Sequence, residues 1–199
     1  ARRCLLFSKV LVPALEKRGV SPDRIDVIPH CPLEYPSDVQ PDIAQATSLL
    51  FFGRITDYKG LDILIKAYAQ LRERHRIILR IVGSGDLRPY LPLLENLPGV
   101  EIFNRWVDES EVGHFFGPGQ IVVLPYTSAS QSGVIAIAAG FGLPVIATRT
   151  GGLLEQINDG VTGILVTPGS VDELVDAIED LLNNSQKAAI LGQALAKDF

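Results

Sequence analysis

Short runs of aliphatic and β-branched residues recur along the chain at Ile25 to Ile28, Leu49 to Phe52, Ile77 to Val82, Ile121 to Leu124, Val145 to Ala147 and Ile164 to Val166. Each is about one strand long and apolar throughout rather than alternating, the pattern of strands covered on both faces in a parallel sheet. Helical periods lie between them. Leu61, Leu64, Ile65, Tyr68 and Leu71 form one apolar stripe, with Lys66, Gln70 and Arg72 on the polar side. Val171, Leu174, Val175, Ile178, Leu181 and Leu182 form another, preceded by Ser170 and Glu173 at capping-box spacing. This alternation predicts an α/β chain with an open, doubly wound, Rossmann-like parallel sheet, whose ligands bind at the carboxyl ends of the strands. The Pro-rich segment from Pro29 to Pro41 is the linker candidate, with a helix expected at Val10 to Arg18 before it.

Length and charge narrow the classes. The 199 residues, 47% apolar and 21% charged, suffice for one sizeable core. A net charge of -5 disfavours wholesale attraction to nucleic acid or an anionic bilayer, so any anion must be bound locally. The apolar stretch Gly133 to Ala147 is shorter than a membrane span and is broken by three glycines and a proline, which makes it core. Cys4 and Cys31 have neither metal-ligand nor disulfide-scaffold spacing, and a cytoplasmic setting is the expectation. The start at Ala1-Arg2-Arg3 and the stop at Phe199 within a helical pattern are expected to be cuts in a longer protein.

Four turns between strand and helix carry candidate chemistry. In the first, Gly53 and Arg54 leave a strand, and Lys59 precedes the helix that begins near Leu61. A guanidinium fork and an ammonium there, beside free helix amides, form an anion site; the competing reading ties both cations to Asp57 or Asp62. The second, Val82-Gly83-Ser84-Gly85, is either a tight structural turn or a nucleotide-lining one. The third, Pro125 to Val134, sets Ser130, Gln131, Ser132 and Gly133 before an apolar helix, where a phosphate fits; its alternative is Ser132 as a plain helix cap. The fourth, Gly151-Gly152-Leu153-Leu154-Glu155, again frees backbone before a helix, with Glu155 binding ligand or complementing the helix dipole. His30, His75 and His114 are scattered; His75 and His114 are expected in surface or packing roles, and for His30, at a strand end beside the linker, facing the interdomain cleft is the alternative to such a role.

The ordered set Gly53-Arg54, Lys59-Gly60-Leu61-Asp62, Val82-Gly83-Ser84-Gly85, Val123-Leu124-Pro125-Tyr126, Gly142-Leu143-Pro144-Val145, Gly151 to Glu155 and Asp159 to Val166 resembles the C-terminal, donor-binding domain of family-4 (group 1) retaining glycosyltransferases of GT-B fold. The resemblance spans about residues 25 to 195. It implies that residues 1–28 end an acceptor-binding domain and that residues 29–199 bind a nucleotide sugar. By the same resemblance, Arg54 and Lys59 hold the diphosphate of a UDP-, GDP- or ADP-sugar. Gly53, Gly83, Gly85, Arg105 and Glu155, with the Ser130, Gln131, Ser132, Gly133 and Val134 segment, complete the donor site, and Asn104 to Trp106 neighbour the base. The resemblance implies that the acceptor, a glycan, lipid or small molecule, is held by the missing domain, for which a membrane-surface location is an option; no nucleic-acid partner is implied.

The family usually carries two glutamates seven residues apart, one by the donor sugar and one on the ribose, at the places occupied here by Ala129 and Ile137. The chain therefore resembles a variant subgroup. Without an Asp-x-Asp, no divalent metal and no other cofactor is expected. The implied reaction is hexosyl transfer with retention, in which cations and amides aimed at the leaving diphosphate each contribute on the order of 3 kcal/mol, roughly a hundredfold in rate. Two alternatives share these turns: a binding module that has lost catalysis, and a GT-B nucleotide-sugar epimerase.

Overall fold

The computed structural model describes residues 3–33, 35 and 47–199. Residues 34 and 36–41 of the expected linker, with residues 42–46 after it, lie outside the described residues. Eight strands follow in order: β1 (Cys4–Leu6), β2 (Ile25–Val27), β3 (Ser48–Phe52), β4 (Ile78–Val82), β5 (Val100–Phe103), β6 (Gln120–Leu124), β7 (Val145–Thr148) and β8 (Ile164–Val166). The helices are α1 (Val12–Glu16), α2 (Leu61–Arg72), α3 (Leu91–Leu94), α4 (Val112–Phe115), α5 (Gly133–Gly140), α6 (Leu153–Gln156), α7 (Val171–Asn183) and α8 (Ser185–Asp198). β1 and β2 pair in parallel as a separate two-stranded sheet, and the other six strands form one parallel sheet in the order β5-β4-β3-β6-β7-β8.

That order is the doubly wound one: the chain winds from β3 outward to β5, then returns to β6 and winds the other way. Strand residues alternate between two cores. Leu49, Phe51, Ile81, Ile121 and Val123 pack under the apolar stripes of α2 and α7. Leu50, Val82, Val122, Leu124 and Val145 pack under α4, α5 and the end of α8. Burial on both faces is why these strands read as continuous apolar runs. Tyr68, fully buried in α2, donates its hydroxyl to the carbonyl oxygens of Pro98 and Gly99 at 2.9 and 3.0 Å, anchoring the entry to edge strand β5.

Three local expectations change. Val10 to Arg18 is not one helix: Pro13 sits in the first turn of a five-residue α1, preceded by a 3-10 turn at Lys9–Leu11. The capping box at α7 is half formed. Ser170 Oγ accepts from the Glu173 amide at 3.2 Å, whereas the Glu173 carboxylate accepts from Thr167 N–H at 2.8 Å, which draws its pKa down. β5, with Glu101 paired to Arg80 at 2.7 Å, is an edge strand whose apolar run is interrupted by that charge, so it does not stand out in the sequence.

Candidate functional site

The winding direction reverses between β3 and β6, and an open cleft of about 690 Å³ lies at the carboxyl ends of those two strands. Phe52 and Gly53 at the end of β3, Tyr58 and Lys59 before α2, and the whole run Ser128 to Val134 between β6 and α5 line it. Tyr126, Ile137 and, from the N-terminal segment, Val10 complete the wall. Lys59 is the charged member of this lining.

Its first wall is two glycine turns stacked on one another. Gly53 N–H donates to the Val82 carbonyl at 2.9 Å and Gly83 N–H to the Phe103 carbonyl at 3.0 Å, extending the sheet one residue past three strand ends. Gly83 has φ +136°, and a Cβ there would land on the Gly53 carbonyl oxygen; one at Gly85 would meet the Ile55 carbonyl. Asn104 closes this turn with reciprocal bonds of 3.1 Å to Gly85. At Gly83 and Gly85 backbone packs on backbone, and both lie outside the cleft lining.

Neither cation of the first turn is tied to the acids beside it. Asp62 pairs with Lys66 at 3.0 Å, one helical turn on. Lys59 has no acidic partner among the described residues and places its ammonium 4.9 Å from the Tyr126 ring centroid. Burial, reinforced by the charge of Arg54, pushes its pKa below the ordinary lysine value. Arg54 itself is exposed and outside the lining.

The opposite wall, Ser128 to Val134, is held by its own side chains. Ser132 is a buried N-cap whose Oγ accepts from Val134 N–H at 3.3 Å. Gln156 of α6 grips the same residue from below, its Oε1 accepting from Ser132 N–H at 2.7 Å and its Nε2 donating to the Ser132 carbonyl at 3.0 Å. The amides of Ser132 and Val134, expected to meet phosphate, are therefore engaged within the chain. The amides of Ser130, Gln131 and Gly133 donate to no acceptor among the described residues, and a Cβ at Gly133 would meet nothing within 4 Å. Gln131 Oε1 lies 2.9 Å from His30 Nε2, whose ring stacks on Phe7 at 4.5 Å; His30 thus touches a lining residue without being part of the lining.

Two expected ligand residues are occupied elsewhere. Arg105 is exposed and doubly bonded to Glu111 at 2.7 and 2.8 Å, which lowers the Glu111 pKa to about 2. The Glu155 carboxylate accepts from the backbone amides of Lys9 and Val10 at 2.9 and 3.1 Å. It therefore ties the N-terminal segment, and with it Val10, to the cleft rather than lining it. Ala129 and Ile137, the positions where the resemblance places glutamates, both line the cleft. Tyr58 and Gln156 escaped the sequence reading, and Tyr126 entered it only as the end of the Val123-Leu124-Pro125-Tyr126 motif, with no role at the site.

Residues 46–184 match the family described as glycosyl transferases group 1. This chain belongs to that family. An uncharacterized glycosyltransferase of Methanocaldococcus jannaschii is 34% identical over 140 residues, 68% of this chain and 36% of that protein. A D-inositol 3-phosphate glycosyltransferase of Paenarthrobacter aurescens is 30% identical over 207 aligned residues, 89% of this chain and 48% of that protein. The group 1 chain thus spans less than half the length of either relative. Its fold is that of one half of a GT-B glycosyltransferase: the crystal structure of Anabaena HepE in complex with UDP-glucose superposes with a TM-score of 0.81 at 21% identity, over 100% of this chain and 58% of that one. Among the described residues no helix is long and apolar enough to cross a membrane.

Proposed function

We propose that this chain is the donor-binding half of a retaining glycosyltransferase and seats the diphosphate of a nucleotide sugar in the cleft between β3 and β6. In this reading residues 1–28 end the acceptor domain, which would supply the binding site for a glycan, lipid or small molecule. The observation that carries the reading is the partly buried Lys59 ammonium, without an acidic partner among the described residues, lining the same cleft at the switch point as the unengaged amides of Ser130, Gln131 and Gly133. A cation and amide dipoles fixed before the ligand arrives stabilise charge developing on a departing diphosphate more than they stabilise the ground state. Arg54, exposed beside them, would swing onto the same group. The lining offers no carboxylate to carry a divalent ion, so transfer is proposed to proceed without metal and to survive a chelator.

Two curated glycosyltransferases and a UDP-glucose complex among its relatives support a nucleoside diphosphate as ligand. Calorimetry with UDP, GDP and ADP tests the seat. Lys59→Met and Arg54→Ala should each weaken the preferred nucleotide by about tenfold or more, as loss of a charged hydrogen bond implies; affinity unchanged in both variants rejects the reading. Product analysis with the longer protein, reading the anomeric configuration by NMR, tests transfer with retention. One observation favours a second reading: Ala129 and Ile137 place apolar side chains at the cleft, so a module that binds without transferring would show nucleotide affinity and no sugar product.

A further inference from the structure

A lysine ordinarily leaves its ammonium in water or against a carboxylate, and its flexible stem costs about 2 kcal/mol of rotamer freedom when fixed. Lys59 does neither. Its Nζ would lie 2.9 Å from a Cβ on Gly53 and lies 4.9 Å from the Tyr126 centroid, within the range of a cation–π contact. The ammonium is therefore held between bare backbone and an aromatic face. The ring is itself immobile: Tyr126 is 2% exposed, and Tyr58 meets it edge-on at 6.2 Å and 83°.

The two partners are also tied through backbone. The Tyr58 carbonyl accepts from Thr127 N–H at 2.7 Å and from Thr127 Oγ1 at 3.2 Å, fixing the residue before Lys59 to the residue after Tyr126. The phenol hydroxyl contributes nothing visible to this arrangement. It is buried without a well-aligned hydrogen-bond partner among the described residues, next to Ser132, whose Oγ accepts from the Val134 amide and keeps its own O–H to donate.

We propose that Tyr126 is the positioning residue of the donor site, its ring face holding the Lys59 ammonium over the cleft so that the opposite side of the cation is presented to a diphosphate oxygen. This rests on the reading that the cleft takes a nucleoside diphosphate. Because the ring attracts the cation without neutralising it, the ammonium is fixed and yet remains available, which a carboxylate partner would not allow. Burial without a counter-charge is also what lowers the lysine's pKa, and an arriving phosphate supplies the missing charge.

Two measurements on the 199-residue chain separate the layers of the argument. The first needs no ligand. In protein carrying 13C-labelled lysine, the Lys59 ε-methylene protons should be shifted upfield by the ring; Tyr126→Phe should keep that shift, and Tyr126→Leu should abolish it. The second is calorimetry with UDP, GDP and ADP. Tyr126→Leu should weaken the nucleotide that binds by roughly 3- to 30-fold, Tyr126→Phe should restore it, and in a Lys59→Met background Tyr126→Leu should change affinity by less than about twofold.

A phenylalanine variant as weak as the leucine one assigns the effect to the hydroxyl and overturns the proposal. So does a leucine effect that persists without Lys59, because the ring then acts through packing alone. If no nucleotide binds the unaltered chain, the donor reading falls; the ring shift then decides the placement of the ammonium, its presence sustaining the clamp and its absence refuting it.

Discussion

Adding one methyl group at Gly133 should stabilise the protein and damage its binding. Gly133 opens α5, its backbone lies outside the left-handed region, and a Cβ there meets nothing within 4 Å. Replacing such a glycine by alanine narrows the unfolded ensemble by about 0.4–1 kcal/mol. For a chain of this size that is a rise of about 1–4 °C in Tm. The same methyl stands in the cleft over an amide with no acceptor among the described residues. Losing one charge-assisted hydrogen bond to a diphosphate costs about 1.5–3 kcal/mol, roughly 10- to 150-fold in Kd.

Gly83→Ala is the opposite case: with φ at +136° and the Gly53 carbonyl in the way, it should lower Tm, by about 1–3 kcal/mol of strain before any clash is counted. Thermal melts with and without UDP, and calorimetry on both variants, read out the pair. A Gly133→Ala protein that melts higher and binds UDP as tightly as the unaltered chain would show that the diphosphate does not meet this helix terminus, and the cleft reading would fail at its second wall.

Further outcomes follow from the same geometry. Because burial lowers the Lys59 pKa in the free protein and a bound anion raises it again, nucleotide affinity is full while the ammonium is protonated. It should fall as pH rises through the free-state value, below where an ordinary lysine titrates; an identical pH profile in Lys59→Met would assign the titration to another group. Arg105→Ala should leave UDP affinity within about threefold, since the guanidinium is bonded to Glu111 and outside the lining, and a loss above tenfold by calorimetry would restore Arg105 to the site. Glu155→Ala should speed hydrogen exchange at the Lys9 and Val10 amides by on the order of fivefold, the loss of one cap; unchanged exchange would mean the N-terminal segment is held by other contacts.

The sheet was legible because burial on both faces writes itself into composition: five of the six expected runs are strands of the large sheet, and Ile25 to Ile28 is β2 of the small one. Edge strand β5 was not, because an edge alternates Glu101 with Ile102 and has no continuous apolar signature. At the site, the turns were found and their division of labour was not. Glycine spacing marks where backbone comes close, but not whether the neighbour is a ligand or another turn. For Gly83 it is the Gly53 turn, and for Gly133 it is open space. Glu155 stood correctly at a helix start, yet its partners are amides 145 and 146 residues earlier in the chain, a pairing no local pattern encodes. Tyr126 reads as one more core aromatic until the lysine 67 positions before it is folded against its face.

A chain with net charge -5 gains nothing from long-range steering of an anion, so attraction must come from groups the ligand touches. The surface pairings bear on this. Arg80 is matched by Glu101, Arg88 by Asp86, Arg149 by Asp159 and Lys187 by Asp180, each within 2.7 Å, which leaves these cations largely cancelled at their own positions. Lys59 is among the described cations without such a pair, and it is the charged residue of the cleft lining, at the point where the sheet changes direction. Desolvation makes its charge costly in the empty protein and strong toward an incoming anion, since both effects stem from the same low local dielectric. In the proposed reading, selectivity for a diphosphate over a neutral sugar needs no net positive field: an ammonium held in place before the ligand arrives would favour an anion over a neutral group.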